Sequence, residues 1–504
     1  MRYYVGIDIG TTCTKTVLFD EKGNAEKVCA YAYPIIQPRD GCMEQKAEEW
    51  WGAVVKGLNA ITTIVRKEDI YGVGVTGQFQ TLVMLDKFYK IIRNPILWCD
   101  RRDELKRQEI IQKVGEDRLA EITSNPSIHG STAAKLLWVK ENEPENYEKC
   151  YHVMLPNDYI RFRLTGELAT DVTNGSSMWL MDSVSRQWSE DLIDKLDIDK
   201  SLLSVIYESE EVIGKITPTA SRETGLMVGT PVVAAAGDTL STAIGTGAIS
   251  DGTAFLSLGT SGMICGNTCN RVVDRTGAVS IYCAADRGKW SYITCLPAAG
   301  LCLRWIKDIC CQELMLSPEG KENIYNAMNM LAANTVAGSN RLLFMPYMMG
   351  DRTPHMDSDV RGAFIGLSTI HTKSDMIRAV MEGVAFSQKD CVIALTKLGI
   401  NIDDLVICGG GANSKVWCGI MSDVMELTVH TLKSEHGCAL GSAILAAVGT
   451  GAYSNIDEAV SQMVIKGASQ ECNKNNFDIY RHLFNVFDKA YCNLAGISRE
   501  LIHI

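Results

Sequence analysis

The chain has 504 residues, 46% of them hydrophobic and 22% charged, which is enough for two or more domains with cores of their own. A formal net charge of −11 argues against a nucleic-acid partner, which calls for a concentrated basic face. There is no run of about 18 apolar residues, and the N-terminus enters a strand without a basic leader, so a cytoplasmic protein with no membrane partner is expected.

In chain order, the first element is an apolar run from Val5 to Ile9, interrupted by Asp8 and followed by Gly10-Thr11-Thr12. A second run, Thr16 to Phe19, leads into the polar turn Asp20 to Asn24, and the pair predicts a β-hairpin. Its tight first turn carries a carboxylate, a glycine and two hydroxyls. Glycine lets backbone approach a phosphate, neighbouring N–H groups and hydroxyls can hold its oxygens, and a carboxylate can organise Mg²⁺. A plain hairpin turn is the competing reading. "GTTCTKT" is not a P-loop, since no glycine precedes its lysine. An amphipathic helix is expected from Trp50 to Val65, followed by the strand "IYGVGVTG". Gly72, Gly74 and Gly77 satisfy G-x-G-x-x-G spacing, but they lie within the strand and no helix follows, which removes the dinucleotide fingerprint. Further helices are expected from about Asp103 to Val114 and over "AAKLLWVKEN".

Near the middle, "AAAGDTLSTAIGTG" sets Asp238 after a buried apolar segment and before a Gly/Thr-rich turn. A phosphate site in the first hairpin and a candidate base here together suggest phosphate transfer. "GTAFLSLGTSGMICGNT" then repeats strand, Gly-Thr turn and strand, a weak internal repeat that puts a domain boundary near Gly247 to Gly252. In "CGGGANSKVW", Cys408 ends an apolar run, three glycines follow, and Asn413-Ser414 can cap a helix beginning near Lys415. Bare backbone there suits a flat ligand or a phosphate; a close helix–strand contact would also require it. Strands alternating with helices predict an α/β architecture. The 18 cysteines are scattered with no C-x-x-C and the eight histidines are dispersed, so neither a disulfide framework nor a zinc site is expected.

The ordered set of motifs resembles the FGGY carbohydrate kinases over nearly the whole chain. "GIDIGTTCTK" and "SLGTSG" are similar to the family's two phosphate motifs, and "CGGGANS" to its adenosine motif. "GSTAAKLLWVKEN" and "GAFIGLSTIHTKSDMIRAVMEG" match its two signatures. Within the family, "LPNDYIRFRLTGE", "MWLMD" and "MPYMMGDRTPH" look most like the xylulokinase branch. The resemblance implies two RNase-H-like domains of the actin-like ATPase superfamily around a central cleft, spanning 1–247 and 248–504, with the last helices packing back on the first domain. It also implies a homodimer, ATP and Mg²⁺ as cofactors, and a small sugar as substrate. Asp238 matches the catalytic base and Asp8 the residue that organises Mg²⁺, both reaching the metal directly or through water. Thr11, Thr12, Gly259 and Thr260 would hold phosphates. Gly410 and Gly411 would line the adenosine pocket, with Gly300 added from "PAAGLCLRW".

The substrate residues depart from the xylulokinase pattern. That branch carries Gly-Gln-Met-His-Gly after the strand that ends at Gly77; here Gln78, Phe79 and Gln80 stand in the corresponding run. Thr239 replaces the usual Asn after the catalytic aspartate, while Trp98 and Asp100 are retained. A hydrogen-bonding pocket can discriminate sugars by orders of magnitude. The resemblance therefore implies phosphorylation of a ketopentose, D-xylulose first, with ribulose, L-xylulose, or a tetritol or pentitol as alternatives. An actin-like ATPase without a sugar acceptor is the reading from another class.

Overall fold

The computed structural model describes residues 1–316, 318–434 and 436–502. They condense into two compact units: 1–250, 267–292 and 436–465 in the first, 251–266, 293–316, 318–434 and 466–502 in the second.

In the first unit the two N-terminal apolar runs form β1 (Tyr3–Ile9) and β2 (Cys13–Asp20), an antiparallel hairpin whose register sets Asp8 opposite Lys15. β3 (Ala25–Ala32) extends it antiparallel to β2. Helix α1 (Ala47–Thr62) then carries the chain to β4 (Ile70–Gly77), parallel to β1. Its buried residues Trp50, Val54, Leu58 and Ile61 recur every three or four positions and share one core with Val5, Ile7, Val73 and Val75. β5 (Val212–Lys215) and β6 (Pro231–Val233) complete a six-stranded sheet in the order β5-β6-β4-β1-β2-β3. β4 and β6 run parallel to β1, and the others antiparallel to their neighbours. Buried Ala234, Ala235 and Ala236 follow β6, and Gly237 bridges to Gly77 at the end of β4.

The Gly/Thr-rich stretch after Asp238, expected as a turn, is instead helix α2 (Asp238–Thr246), closed by Gly247 at φ +80°. Leu240, Ala243 and Ile244 fall on one buried side at helical spacing, which outweighs the weak propensities of the threonines and Gly245.

The second unit repeats the plan. β7 (Gly252–Leu258) and β8 (Gly262–Thr268) form an antiparallel hairpin. β9 (Ile402–Cys408) lies parallel to β7, β10 (Val429–Leu432) parallel to β9, and β11 (Lys466–Gln470) antiparallel to β10. The order β8-β7-β9-β10-β11 reproduces β2-β1-β4-β6-β5 strand for strand and direction for direction, so the repeat read from two hairpins extends to five strands. Helix α3 (Lys415–Met425) leaves β9 through the glycine turn, and the Ser414 hydroxyl accepts the Trp417 N–H at 3.1 Å as its N-cap.

The chain returns to the first unit with helix α4 (Gly437–Gly449), which lies on β1 and β4 and beside α2 with almost no space between backbones. A Cβ at Gly6 would stand 2.0 Å from the Ala439 carbonyl oxygen; one at Gly245 would stand 1.9 Å from that of Gly437, and one at Gly441 1.8 Å from that of Ser241. Only glycine allows this approach, and it brings the N-terminus of α4 to the ends of β1 and β4. All eighteen cysteines are free thiols, and no helix among the described residues is long and apolar enough to cross a membrane.

Candidate active site

The turn after β1 is braced from beneath. The Tyr33 hydroxyl donates to the Gly10 carbonyl at 2.6 Å, and the Gln45 amide donates to the Thr11 carbonyl at 2.6 Å. Gln45 also accepts the Trp50 indole N–H at 3.1 Å and the Gln78 amide at 3.2 Å. Trp98 closes the group by donating its indole N–H to the Thr11 hydroxyl at 3.0 Å. Thr11, Gln78 and Trp98, three of the residues expected from sequence, are thus joined. Gln45, which joins them, carries no local signal that would have singled it out.

Asp8 near the end of β1 and Asp238 at the start of α2 face the same space. Burial pushes the Asp238 carboxyl up to about 7, reinforced by the negative charge of Asp8 and opposed by two hydrogen bonds from Thr239. The Thr239 N–H donates to Asp238 Oδ1 at 2.6 Å and its hydroxyl at 3.3 Å. Burial raises Asp8 to about 6, against the pull of Lys15 across the hairpin and a hydrogen bond from the Cys438 thiol. Cys438, in the first turn of α4, also lies 3.4 Å from the Asp238 carbonyl oxygen. Its own thiol is held well above the usual range by burial and by both carboxylates, so it is a neutral donor at this site. Cys13, the first residue of β2, is half-buried.

Phe79 packs directly over Gly237, the residue before Asp238. A Cβ on Gly237 would fall 1.7 Å from the Phe79 ring, so the phenyl group and a bare backbone require each other. The ring also meets Tyr282 at 5.8 Å between centroids, a neighbour that sequence reading missed. Gln80 is buried and takes φ +62°, the left-handed region that a non-glycine side chain occupies at a cost. Asp100, the remaining residue expected at the sugar, is bonded within the protein. Its Oδ1 accepts the Arg102 N–H and Nε at 2.9 Å each, and its Oδ2 accepts the Met43 N–H at 2.6 Å and Arg102 Nη2 at 2.8 Å. Four protein donors saturate the carboxylate, so in this geometry Asp100 braces the loop that presents Trp98.

In the second unit the remaining motifs assemble without the first. The Gly300 N–H donates to the Gly259 carbonyl at 2.8 Å, and the N–H groups of Ala299 and Leu301 to that of Thr260 at 2.9 and 3.0 Å. A Cβ on Gly300 would lie 2.5 Å from the Gly259 oxygen, and one on Gly411 2.4 Å from Leu258 Cγ. Gly410 has open space before it. Gly259, Thr260, Gly300, Gly410 and Gly411 therefore form one lip of bare backbone around the β7–β8 turn.

No group of three or more His, Cys, Asp or Glu among the described residues is arranged to hold a metal. Mg²⁺ needs no such cage: it is commonly held by one or two carboxylates, waters and substrate phosphates, and Asp8 and Asp238 suit it by their oxygen chemistry and paired charge.

A duplicated sheet with a phosphate-type hairpin in each half, a paired carboxylate site and a glycine lip defines an ATP-dependent phosphotransferase of the actin-like ATPase fold. The models of the FGGY family of carbohydrate kinases match in both halves, the N-terminal domain over residues 3–245 and the C-terminal domain over 254–450. The chain belongs to this family and is an ATP-dependent sugar kinase. It is 33% identical to a xylulose kinase of Bacillus subtilis over 99% of each chain. Among solved structures, the ligand-bound xylulose kinase of Lactobacillus acidophilus is 26% identical with a TM-score of 0.90, covering 99% of this chain and 100% of that one. A gluconate kinase of the same organism is 25% identical with a TM-score of 0.91, covering 99% of each.

Proposed function

We propose that the protein transfers the γ-phosphoryl group of ATP to a primary hydroxyl of a ketopentose, D-xylulose being the first candidate, to give the 5-phosphate. Asp238 is the general base. Its carboxylate takes the hydroxyl proton as the sugar oxygen attacks phosphorus in line, the bond from phosphorus to the β-bridging oxygen breaks, and ADP leaves. A group poised near neutrality suits this step, because the loose transition state demands positioning more than basicity. Mg²⁺, when bound, neutralises charge on the phosphate oxygens. Asp8 and Asp238 are the residues that would hold it, directly or through water. Thr11 and Thr12 are assigned to phosphate oxygens, as are Gly259 and Thr260. Gly300, Gly410 and Gly411 are assigned to the nucleotide, and Gln78, Phe79, Gln80 and Trp98 to the sugar. Asp100 is assigned to the sugar side as well, where it also holds the loop that presents Trp98.

Full-length similarity to a xylulose kinase at 33% identity carries the choice of sugar. Similarity to a gluconate kinase favours a second reading, with a sugar acid as acceptor. Against it, Gln78, Phe79, Gln80, Trp98 and Asp100 include no cation, and Arg102 is committed to Asp100 and Glu44. The deciding experiment is coupled ADP release over D-xylulose, D-ribulose, L-ribulose, L-xylulose, xylitol, ribitol, glycerol and gluconate. D-xylulose is expected to give the highest kcat/KM, and Asp238→Asn to lower that rate by about 10²- to 10⁴-fold, the usual worth of a positioned base. A preference for another acceptor replaces the sugar; equal ATP consumption without any acceptor replaces the kinase with an actin-like ATPase.

A further inference from the structure

A buried polar chain, unused by the chemistry above, ends on the Ala236–Gly237 peptide, one residue ahead of Asp238. The N–H of Gly237 donates to the Thr173 hydroxyl at 2.9 Å. That hydroxyl donates in turn to Asp171 Oδ1, which also accepts the N–H groups of Thr173 at 3.0 Å and Asn174 at 2.9 Å. Asp171 Oδ2 accepts Arg161 Nη2 at 3.1 Å, and the same guanidinium nitrogen pairs with Asp158. Asn157, next to Asp158, directs its amide at the Ala236 carbonyl at 3.5 Å. Arg161, Asp171 and Thr173 have no exposed surface, so solvent has no route to replace these bonds.

Two observations set this chain apart from ordinary core filling. Arg161 Nε and Nη1 are buried without a partner, a cost that an ion pair retained only for stability would not carry well. And Ala235, three residues before Asp238, sits at φ +53°, a backbone conformation that must be imposed by its surroundings. The loop from Ala235 to Gly237 is held against its own preference, and both holds fall on one planar peptide, Ala236–Gly237, through its carbonyl and its N–H.

We infer that Thr173, fixed by the buried Asp171–Arg161 pair, is a positioning residue that sets the Ala236–Gly237 peptide just ahead of Asp238 and through it the direction of the carboxylate. The inference rests on the reading of Asp238 as the base. It goes beyond it in assigning rate to a residue that touches neither sugar nor nucleotide.

The test is steady-state ADP release by the full-length protein with MgATP and D-xylulose, or the sugar that the panel selects, for Thr173→Val, Thr173→Ser and Asp238→Asn. Thermal denaturation is run alongside. Valine keeps the shape and removes the hydroxyl. With the carboxylate displaced but both substrates still bound, kcat is expected to fall about 10- to 100-fold with KM for sugar and ATP little changed. Serine, which restores the hydroxyl, is expected to recover most of the rate. Thr173→Ala provides a second truncation and is read in the same way if the valine variant does not accumulate folded. An unchanged kcat in folded Thr173→Val or Thr173→Ala beside an inactive Asp238→Asn overturns the positioning role and leaves the base intact. Parallel loss of thermal midpoint, KM and kcat, without rescue by serine, also overturns it, because the chain is then only structural. Full activity of Asp238→Asn removes the base reading itself and this inference with it.

Discussion

Asp238 is acted on by three forces that can be separated by single substitutions. Burial and the charge of Asp8 raise its carboxyl to about 7, while the Thr239 bonds at 2.6 and 3.3 Å favour the ionised form. Thr239→Ala removes the hydroxyl and keeps the N–H. The carboxyl then rises further, and the acidic limb of kcat/KM is expected to move to higher pH while the plateau rate stays close to that of the parent. A limb that stays in place in a pH–rate profile would show that Asp238 is not the group being titrated. This residue and Asp8 were legible in the sequence because each belongs to a short local pattern, an apolar run followed by a glycine turn or helix start. Gln45, Cys438 and Thr173 were not. Each acts by meeting residues far away in the chain, and nothing in the neighbouring sequence distinguishes a buried glutamine, thiol or hydroxyl that anchors a site from one that fills a core.

At the scale of elements, the site depends on backbone contact between α2 and α4 rather than on side-chain interdigitation. Gly245 faces the Gly437 carbonyl and Gly441 faces that of Ser241, so neither position has room for a methyl group. Gly441→Ala is expected to push the helices apart and destabilise the protein by about 1–3 kcal/mol, the range for overpacking a close interface. Cys438 lies one turn earlier on the same helix, so activity should fall too. Gly419 provides the contrast. It lies inside α3 with only the Gln470 amide carbon at 3.9 Å from an added Cβ. Gly419→Ala is expected to stabilise by about 0.4–1 kcal/mol by restricting the unfolded chain. Denaturant midpoints measured side by side check both signs; equal effects would mean that glycine content and not helix approach governs these positions. Sequence reading missed the helical state of 238–246 for a related reason. Gly245 and the three threonines Thr239, Thr242 and Thr246 speak for a turn locally, and only packing against α4 turns the same small residues into the requirement for a helix.

For the whole molecule, duplication explains why so much of the fold could be read. Each unit begins with a hairpin whose turn must stay open to a ligand, and the glycines and hydroxyls there cannot be disguised by core packing. Elsewhere in each unit, carboxyls are buried in low-dielectric surroundings. Burial raises Asp8 and Asp158 to about 6, and Asp238, Asp351 and Asp390 to about 7, from an ordinary value of 3.8. Between about pH 4 and 7 the folded protein therefore binds more protons at these groups than the unfolded chain does. Their contribution is fully present below the unfolded value and is lost as pH rises through 6 to 7. Two histidines oppose the trend: burial lowers His355 to about 4 and also depresses His152, so folding gains from them as pH rises towards 6.5. Above 6.5 that compensation is complete and the carboxyls near 7 continue to ionise. The unliganded protein is thus expected to lose thermal stability between pH 6.5 and 8. Asp351→Asn and Asp390→Asn, both in the second unit, should each flatten that decline without altering the acidic limb of kcat/KM, which is assigned to Asp238. A thermal midpoint that rises over this interval, or a slope that the two variants leave untouched, would show that these carboxyls ionise freely in the folded state and that solvent reaches them.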